Sequence, residues 1–474
     1  MLADSKSFKE NAASALADAS LQAALQRTTP RFAAKRLAAV DALPEFEALR
    51  DAAMQIKNHA IAHLDYYLEA YAAAVERSGG EVHWCATAED ARQAVLKICL
   101  EAGAKTVTKG KSMVTEEIGL NPYLEANGVT PLETDLGEYV LQLRDEPPSH
   151  IVGPAFHLHR ADWEETFRKA HTDLPENRIF HERRDILTEA RGKLREKFVT
   201  ADVGITGANF LIAESGISVI VTNEGNGDLT QTLPRVHVVV TGIEKVVPTI
   251  EDTLALLRVL ARSATGQDIS VYTTFSTGPK RAADLDGPAE YHVVLLDNGR
   301  SAMVGTEFQD MLRCIRCAAC MNHCPVFGAV GGHAYGATYP GPMGAVLTPM
   351  LTGVDAAGHL PNASTFCGKC ESVCPVKIPL PNLMRHWRER EFERHLQPAA
   401  MRDGIAIWAF LAKRPALYRL AARTLALCLG LLGRKRGRIR KLPFGGSWTD
   451  GRDFPAPEGD TFFARYARLK QDER

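Results

Sequence analysis

Residues 314–325 read CIRCAACMNHCP, with cysteines at 314, 317, 320 and 324 and a proline behind the last. Three thiolates separated by two residues can wrap a short loop around one face of a metal core. The fourth, one turn onward at a helix start, points elsewhere. Soft thiolate sulfur suits polarisable iron, and four such groups followed by proline form a specific motif. A shorter run, CGKCESVCP at 367–375, supplies Cys367, Cys370 and Cys374. Counting back by the same spacing places its absent first member at Ser364. Both runs end in Cys-Pro-Val, so they read as two copies of one unit. The alternatives are a structural zinc site or a set of merely small, buried side chains.

The spacing is that of two-cluster bacterial ferredoxins, in which the fourth cysteine of each run serves the other cluster. Cluster one then takes Cys314, Cys317, Cys320 and Cys374, as a [4Fe-4S] centre. Cluster two takes Cys324, Cys367 and Cys370 and lacks a fourth thiolate. It is either a [3Fe-4S] centre or a [4Fe-4S] centre whose odd iron is held by Ser364, water or a partner's group. The crossover also predicts that the two clusters lie close together. Between the runs, AVGGHAYGATYPGPMGAVLTP (329–349) reads as a surface loop, or as glycines that let backbone N–H groups approach sulfur, with His323, His333 and Tyr335 nearby.

Outward from the cysteines the texture is ordinary. The chain has 474 residues, a net charge of −1, 45% hydrophobic and 24% charged residues, which fits a folded protein with more than one core and argues against nucleic acid as the main partner. The start, MLADSKSFKENAAS, has no apolar leader, and no uninterrupted apolar run of membrane-spanning length follows, so a cytoplasmic location is expected. Ten cysteines in such a chain are not expected to form disulfides, and Cys85, Cys99 and Cys428 stand apart from the other seven.

Residues 1–80 read as helical. From 81 to 300, short β-type runs (EVHWC, KTVTKG, AESGISVIVTN, RVHVVVTG, VYTTF, YHVVLLDNG) alternate with helices near 90–102 and 250–262. That alternation predicts an α/β fold with a mostly parallel sheet covered on both faces. Residues 301–395 form the cysteine-rich part, and 396–474 a helical, basic tail.

Nucleotide motifs fail on inspection. Gly110-Lys111-Ser112 resembles the end of a phosphate loop, but position 105 is lysine where glycine is required, and no G-x-G-x-x-G follows a strand. No zinc-protease or hydrolase-elbow motif is present. Lys111, Glu116, Glu214, Asn223 and Glu224 sit at the ends of apolar strands, where open α/β sheets place ligands, so they are candidates for a crevice and, for Lys111, Glu214 and Glu224, for catalysis. Helix capping and turn chemistry explain the same residues without function.

ITGANFLIAESGISVIVTNEGN, LPRVHVVVTGIEKVVPT and KGKSMVTEEIGLN together resemble the LUD domain of the lactate-utilisation proteins. With both cysteine runs and the tail GGSWTDGRDFPAP, most of the chain resembles the iron–sulfur members of that family. The resemblance implies a fold similar to the sugar-phosphate isomerase and CoA-transferase group. It implies electron transfer in oxidation of L-lactate to pyruvate, as a subunit of a dehydrogenase complex rather than its catalytic site. Implied partners are a cysteine-rich protein and a LUD-only protein. In that family the second cluster also has three cysteines. The alternatives are a catalytic LUD domain acting on a small acid or thioester, another 2-hydroxy-acid (glycolate-type) system, or an assembly scaffold.

From Gly404 to Thr449 there is no acidic residue, while Lys413, Arg414, Arg419, Arg423 and the run RKRGRIRK are basic. Three readings stand: a solvated face on a packed helix, a dock for an acidic partner, or peripheral contact with the inner face of an anionic membrane.

Overall fold

The computed structural model describes residues 5–472 apart from 111, 444 and 450. Its contacts divide the chain into two compact units, Met1–Glu391 and Phe392–Arg474.

In the first unit the described strands are β1 (Glu81–Cys85), β2 (Thr106–Gly110), β3 (Thr130–Glu133), β4 (Val203–Thr206), β5 (Phe210–Ile212), β6 (Ile217–Thr222), β7 (Val236–Gly242), β8 (Val246–Val247), β9 (Tyr272–Ser276) and β10 (Glu290–Leu296). Six form one sheet in the order β1-β10-β7-β4-β2-β3, with every neighbouring pair parallel. Parallel neighbours need crossover connections, and helices supply them. The helices Met113–Glu117 and Leu120–Ala126 join the neighbours β2 and β3, while Ala88–Glu101, started by a capping box between Thr87 and Asp90, carries the chain from β1 to β2. Strand β7 is buried at every residue, as a central strand covered on both faces must be. Val95, Leu120 and Leu124 cover one face. Leu68, Tyr71 and Val75 of the helix Leu64–Arg77 cover the other.

The expectation of a single mostly parallel sheet needs a correction. SVIVT and YTTF belong to a second, four-stranded sheet, β8-β5-β6-β9, in which β5–β6 and β6–β9 are antiparallel. Their connection explains it. Only Ala213–Gly216 separate β5 from β6, with Gly216 at φ 71°, and so short a link permits a hairpin but not a crossover. A Cβ at Gly216 would also lie 2.6 Å from the backbone nitrogen of Val75.

One buried cluster joins three parts of the first unit. Phe46, Ala53 and Ile61 of the helix Phe46–Ala62, Phe210 and Val219 of the second sheet, and Phe308, Met321, Phe327 and Trp387 of the cysteine-rich part all belong to it. Burying each such side chain contributes about 1.5–3 kcal/mol. The N-terminal helices therefore wall the cysteine-rich part. The stretch 329–349 is not a surface loop. Tyr335 and Tyr339 are buried, and residues 341–349 form the buried part of the helix Gly341–Thr352.

In the second unit the helices Ala399–Ala412 and Phe462–Asp472 bury no residue, and Pro415–Gly433 buries Gly433 alone. By length and composition Pro415–Gly433 could cross a membrane, at a mean hydropathy of 1.4. Its sequence has no uninterrupted apolar run because Arg419 and Arg423 divide it.

Candidate metal centre

Each cysteine of the second run lies fifty residues after its counterpart in the first: Cys317 and Cys367, Cys320 and Cys370, Cys324 and Cys374. The backbone repeats with the same offset. Arg316 and Ala318 are left-handed at φ 59° and 60°, and Phe366 and Gly368 at 53° and 78°. Three of these four are not glycine, and strain of this kind persists where the surroundings hold it for a purpose. A one-turn helix follows in each copy, Ala319–Asn322 and Lys369–Ser372. The N–H of the last cysteine then closes on a carbonyl three residues back, Cys324 to Met321 and Cys374 to Glu371, both at 3.1 Å.

The sulfurs receive backbone N–H groups from their own loops. Ala319 N–H points at Cys317 and Lys369 N–H at Cys367. Val326 and Phe327 serve Cys324, and Val376 and Ile378 serve Cys374, the last at 3.4 Å. Such donors stabilise negative charge on sulfur. They come from the loops themselves rather than from the glycines of 329–349.

The thiols act on one another in two groups. Cys314, Cys317, Cys320 and Cys374 feel each other's charge, as do Cys324, Cys367 and Cys370. Cys370 also reaches Cys320, linking the groups. Burial, reinforced by Cys374, pushes the Cys317 thiol up to about 12. Burial and then Cys324 push Cys370 up to about 12, and burial drives Cys320 well above the usual thiol range. Cys367 is exposed, and the Lys369 N–H and then the Thr365 hydroxyl draw it below the usual value. Thiols brought together from two loops are a donor set that a cation can hold deprotonated, and all-sulfur sets suit zinc or iron–sulfur cores. Ser364 lines the same small cavity as Cys324, Cys367 and Cys370, and its Oγ accepts the Phe366 N–H at 3.1 Å.

Two buried arginines of the N-terminal helices hold the second run from behind. Arg50 donates to the Cys374 carbonyl from Nε at 3.0 Å and from Nη2 at 2.7 Å, and pairs with Glu47 at 2.7 Å. Arg36 donates to the Val373 carbonyl at 2.9 Å. Nothing in the spacing of residues 1–80 marks these arginines, since their partners are backbone carbonyls more than three hundred residues away.

Beside the first run lies a cleft of about 350 Å³ in the α/β part. Strand order reverses between β2, whose chain runs outward to β3, and β4, whose chain runs the other way to β7. Open α/β sheets bind ligands at such a switch, outside the strands' carboxyl ends. Ser112 and Val114 follow β2, Gly207 and Asn209 follow β4, and Lys245 follows β7; all line the cleft, with Arg316 and Tyr339 from the cysteine-rich part. Beneath it, Glu244 binds Arg300 at 2.7 Å and Arg316 at 3.2 Å, and Arg300 binds Glu117 at 2.7 Å. Burial drives the Lys245 ammonium down to about 8 and that of Lys57 to about 7, while the arginines hold the Glu244 carboxyl near 2 against its own burial.

Of the sequence candidates, Asn223 and Glu224 line this cleft. Glu214 is not among its lining residues and accepts the Ile250 N–H at 2.8 Å, at the start of the helix Ile250–Thr265. Glu116 pairs with Lys109 at 2.6 Å, below the sheet edge. Lys111 lies outside the described residues. Sequence reading missed Lys245 and Arg316. Arg316 stood in the quoted motif, but only the fold turns it toward the sheet. Cys85 and Cys99 are buried, their thiols raised by burial to about 11 and about 12, and act as small apolar residues.

A parallel α/β domain joined to two crossed cysteine loops defines a class, and residues 310–378 match the 4Fe-4S dicluster domain while residues 68–296 match the LUD domain. The chain is an iron–sulfur protein of that two-part kind. It is 43% identical over 465 residues to lactate utilization protein B of Macrococcus caseolyticus, covering 96% of each chain. To that of Oceanobacillus iheyensis it is 42% identical over 482 residues, covering 99% of this chain and 97% of the relative. To that of Bacillus subtilis it is 41% identical over 475 residues, covering 98% and 97%. The chain belongs to the lactate utilization protein B family. Among solved structures, a DUF162 family protein from Deinococcus radiodurans aligns with 49% of this chain at 14% identity and a TM-score of 0.28.

Proposed function

We propose that the chain is an electron-transfer protein in the oxidation of L-lactate to pyruvate. Cys314, Cys317, Cys320 and Cys374 would hold a [4Fe-4S] cluster, and Cys324, Cys367 and Cys370 a second cluster of [4Fe-4S] or [3Fe-4S] type. The observation that carries this reading is the convergence of thiols from two distant loops into two adjoining groups, linked through Cys320 and Cys370. Clusters of this kind take up and release single electrons at potentials set by their surroundings. The chain's own residues aim N–H groups at the sulfurs, bury Cys317, Cys320 and Cys374 of the first group and leave Cys367 at the surface, open to a partner. The α/β domain is read as a relative of the isomerase and CoA-transferase fold, supported by its parallel sheet and switch crevice. Partners are a cysteine-rich protein and a LUD-only protein.

The decisive experiment is anaerobic purification with an iron and acid-labile sulfide count, followed by EPR of the reduced and oxidised protein. Brown protein with two interacting cluster signals is expected, together with lost growth on lactate for Cys314→Ala or Cys374→Ala. Colourless protein that retains zinc would sink the proposal.

The second unit supports a cytoplasmic protein touching the inner membrane face. Trp408, Phe410, Leu420 and Leu431 are exposed on helices flanked by basic residues without a single acid from Gly404 to Thr449, the combination that an anionic lipid surface attracts. Sedimentation with vesicles containing anionic lipid, but not with neutral ones, is the expected result.

A further inference from the structure

The cleft at the carboxyl ends of β2, β4 and β7 is lined by a buried cation, Lys245. Lys245 is 5% exposed and lines the cleft. Among the described residues, its ammonium makes no hydrogen bond or ion pair. Glu244 and Cys314 favour its charge from nearby, but the Glu244 carboxylate oxygens are bonded to Arg300 and Arg316. The ammonium therefore keeps its N–H donors for a ligand in the cleft. Arg316 reaches the same cleft, its guanidinium over the Tyr339 ring at 4.6 Å. The position is the one that sheet topology reserves for ligands.

The remaining walls narrow the ligand class. A volume of about 350 Å³ is at the small end for ligand sites. Asp135 and Glu224 also line the cleft, so it is bipolar, and a dianion such as a phosphate ester would meet repulsion as well as attraction. A single carboxylate with a neighbouring hydroxyl gives each side its complement, the anion to the cations and the O–H to a carboxyl oxygen.

We infer that this cleft binds a small 2-hydroxy monocarboxylate, with its carboxylate on Lys245 and Arg316 beside the loop of Cys314. The choice of a hydroxy acid among monocarboxylates rests on the lactate-utilisation reading. The anion site itself rests on the geometry alone.

Isothermal titration of the intact, cluster-loaded chain tests it with L-lactate, acetate and the uncharged amide lactamide. Saturable binding of L-lactate is expected, with lactamide and acetate each weaker by about tenfold or more, the equivalent of one charged or well-made hydrogen-bonded contact. Lys245→Gln should weaken L-lactate by about tenfold or more, and Lys245→Arg should retain most of the affinity. Absence of L-lactate binding, acetate binding as tightly as L-lactate, or unchanged affinity in Lys245→Gln would each overturn the proposal. Should that variant not fold, the lactamide comparison on the unaltered chain decides. An iron count on the same preparation reports on the electron-transfer reading independently, so the two can fail separately.

Discussion

Arg316 and Phe366 share a left-handed backbone, Ala319 and Lys369 aim the same N–H at the same sulfur, and Cys324 and Cys374 close the same turn, yet the two cysteine runs live in different surroundings. Cys317 and Cys320 are buried against Met321 and Phe327, whereas Cys367 is exposed. Cys314 opens the first run and Ser364 the second. Local sequence therefore dictates how each loop bends, while packing decides how much water and how many thiolates each group sees. An exposed sulfur in a three-thiolate group suits the end of a relay that meets a partner. A buried four-thiolate group suits the end that must stay dry.

The sharpest way to break this comparison is to ask which run serves which group. Under the crossover, Cys374→Ala strips the first cluster although it lies in the second run, and Cys324→Ala strips the second although it lies in the first. Each change should abolish one EPR signal outright and leave most of the other. If Cys374→Ala removes the second signal instead, each loop serves its own centre and the proposed ligand sets are wrong.

Next in size is the support behind the second run. Arg50→Ala removes both of its hydrogen bonds to the Cys374 carbonyl and leaves that carbonyl the Lys377 N–H alone, at 3.2 Å. Losing hydrogen bonds from a charged donor costs about 1.5–3 kcal/mol. The expected outcome is a lower unfolding midpoint and faster iron loss from the group containing Cys374, with the surface group around Cys367 less affected. Equal loss from both would show that the arginine supports the whole domain rather than one run.

A buried histidine beside the first run makes that region sensitive to acid. His150 Nε2 meets Asn322 Oδ1 at 3.1 Å, and its Nδ1 accepts the N–H groups of Val152 and Gly153 at 3.1 and 3.0 Å. That pattern fixes a neutral ring, and burial drives His150 down to about 4. The unfolded chain takes up the proton near pH 6.5 and the folded one near 4, so the stability His150 provides is complete above 6.5 and is lost as pH falls toward 4. The full shift corresponds to at most about 3 kcal/mol. In urea titrations, His150→Gln should therefore be clearly destabilised at pH 7.5 and approach the unaltered chain at pH 4.5. A gap that stays constant across that range would remove His150 as the cause.

What could be read in the sequence followed from local chemistry. VHVVVTG announced a strand covered on both faces, and two Cys-Pro-Val endings announced a duplicated loop. β3, β4, β5 and β8 escaped because they are four residues or fewer and carry no alternation to detect. The second sheet escaped because pairing partners are set by turn length rather than by the strands themselves. Lys245 escaped for a related reason. A lysine beside a glutamate reads as a solvated pair, and only the fold shows that Glu244 is taken by two arginines. Glu214 drew notice for its place at a strand end, and its bond to the Ile250 N–H is invisible without the helix that follows β8.

The smallest expected effect is also the cleanest test of why the runs differ. Ser364 occupies the position of Cys314 fifty residues on and lines the cavity that Cys324, Cys367 and Cys370 share. Ser364→Cys exchanges a hydroxyl for a thiol of similar size at a half-buried site, so stability should move by no more than about 0.5 kcal/mol. Spectroscopy is the sensitive readout. If the second cluster lacks an iron for want of a thiolate, the variant should gain one, and the signal of a three-iron centre in the oxidised protein should give way to that of a four-iron centre in the reduced one. If the second cluster already holds four irons with an oxygen ligand, the iron content should stay constant while the potential falls, since thiolate donates more charge than hydroxyl. An unchanged count together with an unchanged potential would mean that Ser364 does not face the metal, and the fifty-residue correspondence would then end at Phe366.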